Sequence, residues 1–272
     1  MPFKDLLVTI DASREGRQRQ AVAIELAQRS GAHVVGCYRA ILLEPSAASD
    51  LAESGRMGLS SVSHEGEMAE SMEQRFHDDL ARFDLAGTWL AGAALDEIVE
   101  RTRTVDLAIV GLGDPDRLEA NPQGFQPEDL ILAAGRPVLG IPIANVPAKL
   151  GGTVLVAWDG SRAAGRAMND ALPLLAGAES VTVLAIGPDE PARRQAEAAT
   201  AHLRRHGVTA GASRMAGGDL SIGDQILAHG EHVNADLVVA GAYGHSRLSQ
   251  AILGGVSRTL LRQMMAPVLM SH

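Results

Sequence analysis

Cysteine is nearly absent. Cys37 stands alone in 272 residues, so no intrachain disulfide forms and no cysteine-based zinc site can be assembled. That usage fits a reducing cytoplasm, which is the expected location. Lysine is almost as scarce, Lys4 and Lys149 being the only two, and the formal net charge is −9. Gripping a phosphate backbone needs clustered Lys and Arg, so neither a nucleic acid nor an anionic membrane surface is an expected partner. No segment approaches the roughly 18 to 20 apolar residues of a membrane span, and the first residues lack a basic stretch followed by a long apolar one, so insertion and export are not expected. Aromatic residues make up 3% of the chain, which leaves Ala, Val, Leu and Ile to build the core.

What is present in quantity is apolar residue, at 46%, enough for one large or two ordinary domains. The chain also repeats itself. Leu-Leu-Val-Thr-Ile-Asp-Ala-Ser-Arg from Leu6 is matched by Val-Leu-Val-Ala-Trp-Asp-Gly-Ser-Arg from Val154. Val-Asp-Leu-Ala-Ile-Val-Gly from Val105 is matched by Ala-Asp-Leu-Val-Val-Ala-Gly from Ala235, and Arg136-Pro-Val-Leu by Ala266-Pro-Val-Leu. The last two matches share one register, so the extra residues of the first half fall earlier, and are expected in the Ser/Gly/Met-rich stretch 42–70, read as a loop running into a helix. Pro142, Pro147 and Gly151-Gly152 interrupt the pattern near 143–152, and the expected division is 1–146 and 147–272.

Short continuous apolar runs alternate with segments of helical period, the pattern of a buried parallel sheet flanked by helices. In the second half this predicts strands at 153–158, 180–186, 208–215, 236–240 and 267–270, with helices at 162–176, 191–206, 221–232 and 246–264. The expected fold class is α/β, two doubly wound five-stranded parallel-sheet domains in tandem. Right-handed crossovers then put any ligand crevice beyond the carboxyl ends of the strands.

After the strand ending at Ala240 comes Gly241-Ala242-Tyr243-Gly244-His245-Ser246-Arg247, then a helical run, then Gly254-Gly255-Val256-Ser257. Paired glycines turn the chain sharply and leave amides uncovered by side chains, and amides near a helix N-terminus hold phosphate oxygens without any lysine. For an isolated G-x2-G, a simple strand-to-helix turn is the better account. The second pair shifts the balance, because Gly inside a helix costs about 0.5 to 1 kcal/mol relative to Ala. Asp159, at the end of the first strand of this half, can accept hydrogen bonds from a ribose or an adenine amine, or it can cap the next helix, a role for which Ser161 competes.

These residues resemble the universal stress protein family, whose nucleotide-binding members carry G-x2-G-x9-G followed by a small hydroxyl residue. The resemblance spans both halves. It implies an adenine nucleotide alpha hydrolase-like fold and binding of ATP, ADP or AMP by the second half, with or without Mg2+. It places the base near Ala157, Asp159 and Ala185, and the ribose and phosphates near Gly241, Gly244, Gly254, Gly255, Val256 and Ser257. It also implies pseudo-twofold packing of the halves through their last strands, a homodimer of chains, and a regulatory or protective role in stress response. Gly255 stands where the family's hydroxyl residue follows the last glycine, so Ser257 is left to supply that contact. In the first half Asp114 replaces Gly244, Phe125 replaces Gly255 and Pro127 replaces Ser257, with Asp116 adding a second charge, so no triphosphate is expected there.

Other signals carry less. His202 with His206, and His229 with His232, have helix-face spacing, but neither pair has a nearby Cys or an H-E-x-x-H frame, and solvated surface histidines are the better account. Arg247 and Arg258 can meet phosphate or form surface ion pairs. No G-x-S-x-G and no base to activate water is singled out, so the expectation is a binding module with at most slow ATP hydrolysis. Two rivals stay open: a nucleotide-free, chaperone-like module using 42–70 to bind a protein or apolar ligand, and an enzyme on the related adenine-binding fold.

Overall fold

The computed structural model describes residues 2–38, 60–92, 94–112, 127–243 and 255–272. The first half contributes β1 (Asp5–Ile10), α1 (Arg14–Ser30), β2 (His33–Tyr38), α2 (Ser60–Ala81), β3 (Gly87–Ala91), α3 (Leu95–Thr102), β4 (Leu107–Gly111), α4 (Pro127–Ala134) and β5 (Val138–Ile141). The second contributes β6 (Thr153–Ala157), α5 (Arg162–Asp170), α6 (Leu172–Leu175), β7 (Ser180–Ile186), α7 (Asp189–Arg205), β8 (Ala210–Met215), α8 (Ile222–His232), β9 (Leu237–Gly241), α9 (Gly255–Gln263) and β10 (Val268–Ser271).

Each half supplies five parallel strands, and the two sets join edge to edge in one ten-stranded sheet ordered β3-β2-β1-β4-β5-β10-β9-β6-β7-β8. The order reads the same from either end when corresponding strands are exchanged. Among the described residues the single antiparallel pairing is β5 with β10, centred on Leu139 opposite Leu269, which are equivalent positions of the repeat. Pairing the two edges covers backbone that would otherwise be a template for aggregation.

Alternation along the buried strands feeds two cores. Leu6, Val8, Val154, Val156, Val181 and Val183 pack on the side of α1, α2, α5 and α7. Leu7, Val35, Leu155, Leu184 and Val238 pack on the side of α3, α4, α8 and α9. Both faces of the strands are therefore covered, which is why they read as continuous apolar runs instead of alternating ones.

The repeated Asp-x-Ser has one local structure in both halves. Ser13 and Ser161 are the N-caps, their hydroxyls accepting from the amides of Gly16 (2.9 Å) and Ala164 (3.1 Å). Asp11 and Asp159 each accept the amide of the capping serine, at 2.8 and 2.9 Å. Of the two candidates for capping the helix after β6, Ser161 takes the role, and Asp159 orients the cap. The second repeated acid is structural too. The Asp106 carboxylate accepts from the amides of Lys4 and Asp5, and Asp236 from those of Gly151, Gly152 and Thr153, fixing the entry of the first strand of each half.

The helix expected at 162–176 is broken at Ala171 into α5 and α6. Pro173 lacks an amide hydrogen, so the ladder bond to Asn169 cannot form there. The extra length of the first half falls between β2 and β3. Residues 42–59 of the stretch 42–70 lie outside the described residues, and the remainder belongs to α2. Of the helix expected at 246–264, the part before Gly255 lies outside them as well.

Candidate functional site

In an open parallel sheet the crevice forms where consecutive connections leave one strand in opposite directions. In the second half that strand is β6, flanked by β7 on one side and β9 on the other. Ala157 is the last residue of β6, paired with Leu184 of β7 and Ala240 of β9. Gly241 is the last residue of β9, and Ala185 is the penultimate residue of β7. Asp159 follows β6, exposed. The structure thus brings Ala157, Asp159, Ala185 and Gly241 to one edge of three adjacent strands. The Ala185 side chain itself is buried in the core facing α5 and α7.

Gly244 and Gly254 lie outside the described residues, as do His245 and Arg247, but both flanks of their segment are placed. The Tyr243 amide donates to the Ser257 hydroxyl at 3.3 Å. The chain therefore leaves β9 and returns to the first turn of α9 at the same spot. Ser257 is 3% exposed, so its oxygen ties the two turns together, whereas the resemblance gave it a place against ribose or phosphate. Tyr243 has φ of 58°, a left-handed conformation that a non-glycine residue adopts at a cost of about 1 to 3 kcal/mol.

The glycines here have different reasons. A side chain on Gly241 would run into the backbone of Ala163 and Ala164 at the start of α5, so its smallness serves helix packing against the strand. Gly255 is exposed, and among the described residues a β-carbon there would meet no atom within 4 Å. Val256 beside it is half-buried against the core facing α8 and α9.

The first half contributes charge to this loop. Burial pushes the Tyr243 phenol well above its ordinary value, the Glu128 and Asp129 carboxylates of α4 add to the rise, and Arg258 of α9 opposes it. The phenol oxygen is buried with no hydrogen-bond partner among the described residues. His272 packs edge-on against the Tyr243 ring and contacts the Ala242 carbonyl through Nδ1 at 3.1 Å.

The corresponding edge of the first half is built differently. Arg19, 7% exposed on α1, donates from Nε to the Thr9 carbonyl at 3.0 Å and pairs through Nη2 with Oδ2 of Asp11. The same guanidinium lies over Gly111, where a β-carbon would stand 2.7 Å from Nη1. The other Asp11 oxygen takes the amide and hydroxyl of Ser13. Burial acts to raise the Asp11 carboxyl, but the Arg19 charge and the bonds from Ser13 and Arg19 outweigh it and hold the group below the ordinary aspartate value. At the positions of Arg19 and Thr9 the second half has Ala167 and Ala157. Asp114, Asp116 and Phe125 lie outside the described residues. Pro127, the counterpart of Ser257, begins α4, a position where proline's missing amide hydrogen costs nothing.

Among the described residues no cluster of three or more His, Cys, Asp or Glu is placed to hold a metal ion, and no helix is long and apolar enough to cross a membrane. A half-open cavity of about 170 Å³ lies away from both strand edges, between Gln18, Val22 and Glu25 of α1 and Val146, Pro147 and Leu150 of the segment joining the halves.

Residues 152–272 match the model of the universal stress protein family. No curated protein matches the chain. Among solved structures, a universal stress protein from Archaeoglobus fulgidus aligns over 98% of this chain and 95% of its own length, with a TM-score of 0.74 and 17% identity. A functionally unknown protein from Pseudomonas aeruginosa aligns over 99% and 92%, with a TM-score of 0.61 and 19% identity. At such identities these two likenesses establish the fold across both halves and nothing finer.

Proposed function

We propose that this chain, whose residues 152–272 match the universal stress protein family model, is an adenine nucleotide-binding module that takes one ATP, ADP or AMP in its second half. The observation carrying the proposal is the Tyr243 to Ser257 hydrogen bond. It brings the end of β9 and the N-terminus of α9 to one spot at the β6/β9 switch point, where main-chain amides and the positive end of a helix dipole favour a polyanion. No atom of the described residues stands within 4 Å of where a Gly255 β-carbon would be, and Asp159 lies at the same edge for the donors of a ribose or an adenine amine. These features fit a nucleotide, with or without Mg2+. On this reading occupancy would stabilise the second half and act as a regulatory or protective signal, with slow hydrolysis at most.

A second reading, a nucleotide-free interaction module, is favoured by the internal engagement of the Ser257 hydroxyl and by the acidic Glu128 and Asp129 near the loop. Calorimetric titration with ATP separates the two. The proposal expects one equivalent bound, and at a hundred times the dissociation constant a stabilisation of about 2.7 kcal/mol. Gly255→Ala, whose methyl meets no atom of the described residues within 4 Å, should leave unfolding unchanged within about 0.5 kcal/mol yet weaken ATP binding. No heat and no stabilisation at millimolar ATP would favour the second reading.

A further inference from the structure

The two strand edges differ in what holds their equivalent acceptor groups. In the first half the Thr9 carbonyl and the Asp11 carboxylate both receive hydrogen bonds from one buried guanidinium. Their counterparts, Ala157 and Asp159, are the groups assigned above to the nucleoside. Arg19 has Ala167 as its counterpart, a side chain with no donor and no charge. A buried arginine requires paired acceptors, because an uncompensated charge away from water is costly. In the first half the acid and the carbonyl are thus both engaged by one buried side chain.

We propose that Arg19 is a built-in occupant of the first half, donating to Thr9 and Asp11 in place of a ligand's donors and closing that edge to the nucleoside end of a nucleotide. This rests on the proposed function for the second half. It goes beyond loss of the phosphate loop, because it excludes even an uncharged nucleoside and identifies the single side chain responsible. Arg19 acts through Asp11 and Thr9 and touches no ligand, so it is a positioning residue whose position enforces a vacant first half.

The test uses adenosine and ATP as probes, with stoichiometry read by equilibrium dialysis on the full chain. Wild type should bind one adenosine and one ATP. Arg19→Ala should bind two adenosines, the second at least tenfold more weakly, and still one ATP, because Pro127, the counterpart of Ser257 at the start of α4, has no amide hydrogen to offer a phosphate. One adenosine bound by both proteins would overturn the inference while leaving the second-half site intact. Neither adenosine nor ATP bound by wild type would instead sink the proposed function; a single adenosine equivalent appearing in Arg19→Ala would then still support the lock, and none would overturn both. If Arg19→Ala does not fold, Arg19→Met keeps the packing of the stem and serves in its place. Wild type offers a check that needs no variant. The Arg19 Nε–H should exchange with solvent at least a hundredfold more slowly than that of exposed Arg82, and equal rates would overturn the lock.

Discussion

Gly241→Ala isolates the steric requirement at the end of β9. Gly241 is not among the residues with positive φ, so alanine adopts the same backbone without conformational strain. The cost is contact. The new β-carbon would stand 2.6 Å from the Ala163 carbonyl carbon and 2.9 Å from the Ala164 α-carbon, both main-chain atoms of the first turn of α5. Ordinary carbon contacts are about 3.5 to 4.0 Å, so the turn must move by about 1 Å. Overpacking of this kind costs about 1 to 3 kcal/mol, which for a chain of this size lowers the melting temperature by roughly 2 to 12 °C. The displaced turn carries Ser161, whose amide bonds Asp159, so nucleotide affinity should fall together with stability. Gly111→Ala is the matched control, since there the nearest atoms belong to the Arg19 side chain, which can rotate away at the expense of its bonds to Thr9 and Asp11. Calorimetric melting of the variants provides the assay. A Gly241→Ala protein melting within 1 °C of wild type would refute the claim that helix packing dictates this glycine.

The Asp11 carboxyl has a lowered pKa in the folded chain, so its contribution to stability is fully present above the unfolded value and is lost as the pH falls toward the folded one. The stability difference between wild type and Asp11→Asn should be flat from about pH 6 to pH 8 and shrink below about pH 4, measured by urea unfolding; a difference independent of pH would contradict the ion pair. Burial pushes the Cys37 thiol up to about 12, so it should resist a thiol reagent at pH 8 in the folded chain and react at once on unfolding, and rapid labelling of native protein would contradict its place between the strands. Ser161→Ala removes the cap of α5 and should cost about 1 kcal/mol, seen as a lower urea midpoint, whereas an unchanged midpoint would argue that Asp159 or water takes over the amide of Ala164.

Much of this architecture was legible because the chain states it twice. The strand repeats located β1 with β6 and β4 with β9, and the glycines after Ala240 pointed to the carboxyl edge where Ala157, Asp159 and Gly241 meet. The antiparallel joint was not readable from residues, because Val138–Ile141 and Val268–Ser271 are buried on both faces and carry no sign of strand direction. It entered only through family resemblance. Pro173 was the visible signal for the break at Ala171, masked by an apolar period that continues across it. Asp106 and Asp236 looked like mere echoes of the repeat, since nothing in one dimension says that a carboxylate faces the amides of a strand about a hundred residues away. Arg19 was within reach. Carrying the Asp11 to Asp159 register eight residues further sets arginine against alanine, and a charged side chain on a buried helix face needs partners. The packing role of Gly241 and the tie from Ser257 to Tyr243 were hidden, because sequence spacing does not tell whether a glycine makes room for a ligand or for another part of the same chain.

The most direct measurement is a map of backbone amide resonances of the isotopically labelled chain during ATP addition. Shifts should concentrate at Ala157 to Gly160, Gly241 to Tyr243 and Gly255 to Ser257, saturate at one equivalent, and leave Thr9 to Ser13 and Gly111 unmoved. Shifts of equal size at both sets, or none at the ends of β6 and β9, would contradict a single nucleotide held in the second half.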